Sequence, residues 1–287
     1  MMPPEGLDAL LPPEMARRAE EVGVKKASMD AVTILVLAVL AGAFIALGGV
    51  FATVALSGGE AAPWGATRVL GGAVFSLGLI LVVVGGAELF TGNSLIVMAW
   101  AGRRVGTAAL LRNWGLVYVG NFVGALSIAF AVVLAGTHRA GGGAFAVAAV
   151  HIAADKLCLD FGQAVVLGIL CNVLVCLAVW LALSARTTAD RILAVVPPIA
   201  AFVAAGFEHS IANMYFVPLG LFIAALDPVF VTTRGLEVQT QTLGGSAFVI
   251  RNLLPVTFGN VIGGAVLVGG VYWFVYLRAA ARTRRPT

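Results

Sequence analysis

The residues of this chain best suited to chemistry are Glu208 and His209, in Gly206-Phe207-Glu208-His209-Ser210-Ile211-Ala212-Asn213. Between Arg191 and Asp227 they are the only ionisable side chains apart from the phenol of Tyr215. A helix through those 35 residues would run about 52 Å, against a hydrocarbon core of roughly 30 Å. The segment therefore reads as a membrane helix broken at its centre, with irregular backbone enclosed by protein. An acid and an imidazole at that depth mark a functional site by default. Imidazole exchanges protons near neutral pH or donates a hydrogen bond. The structural alternative is a brace, with Glu208 capping the break and His209 hydrogen-bonded and inert. A hydrolase built on Ser210 and His209 is disfavoured, because adjacent residues of one helix diverge and cannot pair as nucleophile and base.

A second stretch, Gly85-Gly86-Ala87-Glu88-Leu89-Phe90-Thr91-Gly92-Asn93-Ser94, has the same character. Gly86-x-Glu88-x4-Asn93 matches Gly206-x-Glu208-x4-Asn213 at an offset of 120. Further on, Arg112-Asn113…Gly120-Asn121-x2-Gly124 matches Arg251-Asn252…Gly259-Asn260-x2-Gly263 at an offset of 139. Each half then supplies three spans, and an odd number forces the copies to run in opposite senses. The spacing predicts an inverted 3+3 repeat with its site at the mid-plane. Glu88, Asn93 and Asn213 belong to the matched breaks, and Asn121 and Asn260 are expected beside them as braces or pore donors.

The rest of the chain is membrane scaffold. It is 60% apolar and 11% charged, with a mean hydropathy of +1.00, which excludes an ordinary soluble domain. Charge-free runs occupy Ala31 to Gly59, Asn113 to Thr137, Phe161 to Ala185 and Asn252 to Leu277. Val69 to Gly102 and Ile192 to Leu226 are interrupted only by Glu88 and by Glu208-His209. The fold class is an all-α polytopic membrane protein of six segments, two of them broken.

Residues 1–28, with Leu7, Leu10, Leu11, Met15 and Val22, read as an interfacial amphipathic segment and not a cleavable signal. Residues 29–277 are expected to form the six-span membrane domain, with repeat halves at about 29–136 and 160–277, and 278–287 is a basic tail. The side holding the termini collects thirteen of the 18 Lys and Arg, so both termini are expected in the cytoplasm. The net charge of +4 then reflects topology, and no nucleic-acid partner is implied. The segment from His138 to Asp160 reads as a polar outer loop, with His138 and His151 solvent-facing. Cys158, Cys171 and Cys176 have no zinc or disulfide spacing, and no metal or cofactor is expected. Asn172, in the fourth span, is an amide that either bonds a neighbouring helix or lines a pore.

These stretches resemble the two signatures of the formate/nitrite transporter family. The likeness runs over most of the chain, including Leu10-Leu11-Pro12-Pro13-Glu14-Met15-Ala16, Phe75-Ser76-Leu77-Gly78-Leu79 and Asn252-Leu253-Leu254-Pro255-Val256-Thr257-Phe258-Gly259-Asn260. Within the family the chain looks most like the formate channels, although Thr91-Gly92-Asn93 is closer to the nitrite-type loop. The resemblance implies an aquaporin-like protomer, a homopentamer in the bacterial inner membrane, and passage of small monovalent anions, sometimes with a proton. It further implies His209 as the mid-pore histidine, Thr91 facing it, Glu208 supporting it, Lys156 near the outer vestibule and Asn172 as pore amide. By the same likeness Leu79 and Leu89 form the inner constriction, and Phe75 and Phe202 the outer one.

Burying an isolated charge in an apolar constriction is costly. The anion must meet fixed donors or be protonated. With constrictions of Leu and Phe, protonation through His209 is the expected mechanism, Lys156 drawing anions inward. A neutral His209 serving only as a donor is the alternative. Nitrite or hydrosulfide are the alternative substrates. A water channel is disfavoured by the lack of an Asn-Pro-Ala triplet, and an ammonium channel by the lack of a second histidine within a span.

Overall fold

The computed structural model describes residues 9–57 and 63–283. Leu7 of the N-terminal segment and Arg284 and Arg285 of the tail lie outside the described residues. Within them the chain is helical, with no strand. In chain order the helices are α1 Pro12–Ser28, α2 Ala31–Leu56, α3 Trp64–Gly85, α4 Phe90–Ala101, α5 Thr107–Leu134, α6 Ala144–Leu157, α7 Phe161–Ser184, α8 Thr188–Ala204, α9 Ser210–Leu226 and α10 Gly245–Tyr276. Short helices Pro228–Thr233 and Glu237–Gln241 lie between α9 and α10.

Five of these, α2, α3, α5, α7 and α10, are long and apolar enough to cross a membrane. The stretch expected as a broken fifth segment is two helices of 17 residues each, α8 and α9. The stretch expected as a broken second segment is α3 followed by the short α4. Both breaks have one physical cause. The backbone turns left-handed at Gly86 (φ 81°) and at Gly206 (φ 76°), a conformation in which only glycine avoids a Cβ clash. It is then extended through Leu89 and His209 before the next helix starts.

The remaining scaffold packs by close backbone approach. Gly124 of α5 lies against the carbonyl of Val39 in α2, and Gly263 of α10 against that of Ile169 in α7. A side chain at either would drive the helices apart, the usual role of small residues between membrane helices.

Two expectations are corrected. α1 is not laid on a lipid surface. Its small face of Ala16, Ala19 and Gly23, together with Met15, is buried, packing with Leu95, Met98 and Trp180. The segment after His138 is not a solvated loop. Phe145, Ala149, Val150, Ala153 and Leu157 recur at helical spacing and are buried in α6, a stripe that polar neighbours disguise. His138 is buried as well, its Nε2 3.0 Å from Asp227 Oδ2. His151 is exposed, as expected.

Candidate functional site

Each break is held by a set of polar side chains, and the two sets share the same main bonds. At the first, Lys26 Nζ lies 2.5 Å from Glu88 Oε1. Glu88 Oε2 accepts from Asn93 Nδ2 at 2.7 Å, and the same amide reaches Asn113 Oδ1 at 2.9 Å. Asn113 Nδ2 donates to the Lys26 carbonyl. At the second, Lys156 Nζ lies 2.7 Å from Glu208 Oε1. Glu208 Oε2 accepts from Asn213 Nδ2, which also reaches Asn252 Oδ1, both at 2.7 Å. Asn252 Nδ2 donates to the Lys156 carbonyl.

Asn121 and Asn260 close the arrangement. Asn121 Oδ1 accepts the first helical N–H after the break, from Phe90, while its Nδ2 donates to the carbonyls of Glu88 and Ala38. Asn260 does the same for Ser210 N–H and for the carbonyls of Glu208 and Gly168. Backbone groups freed by a helix break inside an apolar region have no water to turn to. The asparagines satisfy them, and both carboxylates are buried against a cation.

The match is not complete: Lys26 Nζ also donates to Asn93 Oδ1 at 3.0 Å, whereas Asn213 Oδ1 has no partner among the described residues and Asn252 Nδ2 instead reaches Glu208 Oε2 at 3.2 Å. The residue types diverge at the centre. Where the second half has His209 the first has Leu89, and where the first has Thr91 the second has Ile211. The two polar members meet: Thr91 Oγ1 is 2.9 Å from His209 Nε2. His209 Nδ1 accepts the backbone N–H of Ala212 at 3.0 Å, and its ring stacks on Phe202 with centroids 5.8 Å apart. Asn172 lies behind Thr91, lining neither cavity described below. Its Nδ2 donates to the Asn260 carbonyl at 2.6 Å and is 3.4 Å from the Thr91 carbonyl. In this conformation the amide braces the two breaks.

Two cavities flank the Thr91–His209 contact. One, of about 420 Å³, is lined by Lys26, Glu88, Leu79 and Leu89 among others. The other, of about 260 Å³, is lined by Lys156, Glu208, His209, Phe75 and Phe202. α3 runs from one to the other, with Phe75 on the second cavity and Leu79 and Val82 on the first. Phe75 and Phe202 meet edge to face at 5.7 Å, and Phe75 stacks on Phe216. The arrangement offers a charged, solvent-accommodating chamber on each side of an apolar neck with one polar contact in its wall. Among the described residues no group of His, Cys, Asp and Glu could hold a metal ion.

The residue missed in the sequence is Lys26, placed there in an interfacial segment. A signal was available: Lys26-x3-Asp30 and Lys156-x3-Asp160 repeat at an offset of 130. Asp30 caps α2 by accepting from Thr33 N–H, and Asp160 caps α7 by accepting from Gln163 N–H. The matched unit in each half therefore begins one helix earlier, at α1 and at α6.

Comparison with known proteins gives a consistent result. The family model described as Formate/nitrite transporter matches residues 13–274. The chain is 45% identical over 273 residues to the formate channel FocA of Escherichia coli K12, covering 94% of this chain and 96% of that protein. It is 40% identical over 263 residues to FocA of Haemophilus influenzae, covering 91% and 93%. A solved pentameric formate channel with formate bound superposes with a TM-score of 0.81 at 42% identity, over 86% of this chain and 98% of that one. With the matched breaks and the flanking cavities, these similarities lead to one assignment: the chain belongs to the formate/nitrite transporter family.

Proposed function

We propose that this chain is a membrane channel for formate or a similarly small monovalent anion. The observation that carries the reading is the 2.9 Å Thr91–His209 contact, set between two cavities that each hold a Lys–Glu pair with a buried carboxylate. Each lysine raises the local concentration of anions, and its carboxylate limits how tightly they are held. In the neck the anion meets Leu and Phe, and the donors of Thr91 and His209 replace part of its lost hydration.

His209 serves as a neutral donor in this reading. Ala212 N–H is a fixed donor, so Nδ1 must accept and the ring hydrogen resides on Nε2, toward Thr91 and the path. A relay through His209 requires a second hydrogen at Nδ1, opposed to Ala212 N–H. That is the physical reason to prefer the donor role over the proton relay expected from the sequence. Transport without covalent chemistry is supported by the similarity to formate channels over nearly the whole chain.

The architecture we propose counts α3 with α4, and α8 with α9, as one segment each, for six in all. The matched networks support an inverted repeat and an aquaporin-like protomer. The charge distribution supports cytoplasmic termini in a bacterial inner membrane, and the pentameric structural relative supports a homopentamer. Flux into proteoliposomes tests the reading. Formate passes fastest among formate, nitrite, lactate and hydrosulfide; a chain that passes none of them is not a channel of this kind.

A further inference from the structure

The two cavities agree in their Lys–Glu pairs but not in their remaining charge. The cavity beside Lys156 adds Arg68 and Asp155, giving two cations and two carboxylates. The cavity beside Lys26 adds Arg18, Lys25 and Arg191, giving four cations and one carboxylate. Lys26 is already occupied by Glu88 and Asn93. The side chains of Arg18, Lys25 and Arg191 make no hydrogen bond or ion pair among the described residues. They line the cavity from two elements, since Arg18, Val22 and Lys25 form one face of α1 while Arg191 comes from the first turn of α8.

The consequence depends on the charge of the visitor. Attraction to three unpaired cations grows in proportion to the charge of the anion. The cost of entering the apolar neck at Leu79 and Leu89 grows faster, because the desolvation of an ion rises with the square of its charge. A monovalent anion is drawn in and can proceed. A small anion of two or more charges gains more in the chamber and loses far more in the neck, so it stays where it is.

We propose that the cavity lined by Arg18, Lys25 and Arg191 is a binding site for a small multivalent oxyanion, of the class of inorganic pyrophosphate, that occludes the path from the side of the termini. Occlusion rests on the channel reading above; binding does not. The site couples passage of the monovalent substrate to the level of multivalent anions on one side of the membrane only.

Calorimetric titration of the purified full-length protein with pyrophosphate, sulfate and chloride at constant ionic strength tests the binding. Pyrophosphate binds more tightly than sulfate, and chloride does not register. In Arg18→Gln/Lys25→Gln/Arg191→Gln, pyrophosphate binds at least about tenfold more weakly. Arg191→Gln alone weakens it and Arg191→Lys restores it, which keeps the test valid where the triple variant assembles poorly. Flux in vesicles of assigned sidedness tests occlusion: pyrophosphate arrests formate flow from the side of the termini and not from the other. Equal binding by wild type and variants, or equal block from both sides, overturns the proposal. Wild type that binds pyrophosphate but passes no formate sinks the channel reading and leaves the site standing. Formate flux without pyrophosphate binding sinks the site alone.

Discussion

His209 Nδ1 accepts the backbone N–H of Ala212 at 3.0 Å, and this bond decides what the histidine can do at its other nitrogen. A backbone N–H cannot change role. A ring whose Nδ1 accepts carries its hydrogen on Nε2, and Nε2 is the atom that faces Thr91 Oγ1. The hydroxyl of Thr91, having accepted from the ring, is free to donate onward. The neck thus presents a chain of donors of fixed polarity.

The first prediction follows from that polarity. His209→Asn keeps a donor of similar reach but removes a titrating ring. Any proton uptake that accompanies formate, measured with net anion current in proteoliposomes from external pH 5 to 8, keeps its pH profile in the variant. The formate rate falls by about tenfold or less, roughly 1.4 kcal/mol in barrier terms, because the amide is placed less well. Loss of coupled uptake together with its pH profile would show that His209 relays the proton.

The second prediction concerns the buried pairs. Lys156→Met leaves Glu208 buried without its cation, which costs about 3 kcal/mol or more. Adding Glu208→Gln recovers much of that loss, since an amide needs no counter-charge. The same series at Lys26 and Glu88 gives smaller values, because the Lys26 side chain is 25% exposed against 15% for Lys156 and water screens it better. Thermal unfolding in detergent across both double-mutant cycles reads the difference, and equal coupling energies would contradict it.

Much of this site could be read from residue order alone, for identifiable reasons. Gly86 and Gly206 stand out because a left-handed break needs glycine. Glu88 and Glu208 stand out because charge is rare in apolar runs. Asn121 and Asn260 follow from the second repeated motif. Lys26 did not emerge, because its helix lies before the first apolar run and its partner is 62 residues away. α6 was obscured by the polar residues His151, Asp155 and Lys156, which interrupt its apolar stripe in sequence while lying off the buried face. The Arg139 and His138 contacts to Asp227 cross 88 and 89 residues, and no local pattern announces them. The direction of the Asn172 amide is likewise a property of packing, set by carbonyls from two other elements.

The third prediction uses that cross-link. The hydrogen bond from His138 and then those from Arg139 hold the Asp227 carboxyl below the usual carboxylate range. A carboxyl lowered on folding stabilises the fold above its ordinary pKa of 3.8, and the contribution is lost as pH falls through the lowered value. The segment from Asp227 to Gly244 is therefore tied to the turn at Thr137–Arg139 at neutral pH and released in acid. Cleavage of that segment by an acid-active protease rises as pH is lowered toward 3 in wild type. In Asp227→Asn it is high already at pH 5 and changes little below it. A wild-type profile as flat as the variant's would mean that the cross-link does not hold the segment.

The last prediction concerns the neck. Leu79 and Leu89 are both buried and line the cavity beside Lys26, while Phe75 and Phe202 line the other. Leu89 stands at the position matching His209, so the first half turns an apolar side chain into the path where the second half supplies a donor. That asymmetry makes the leucine side the dry part of the barrier. Leu79→Ala with Leu89→Ala removes six heavy atoms of apolar wall from that side only. Water can then follow an ion further before it must be shed, and the charge penalty that separates formate from chloride shrinks. Chloride current, negligible in wild type, rises at least about tenfold relative to formate current, an electrostatic relaxation of some 1.4 kcal/mol. Phe75→Ala alone raises it less, because the His209 ring, stacked on Phe202, already brings a polar group to that end of the neck. Size-exclusion profiles identical to wild type must accompany the measurement, so that a change in current is not a change in assembly. Chloride exclusion that survives the double leucine variant would place the barrier at the phenylalanines instead.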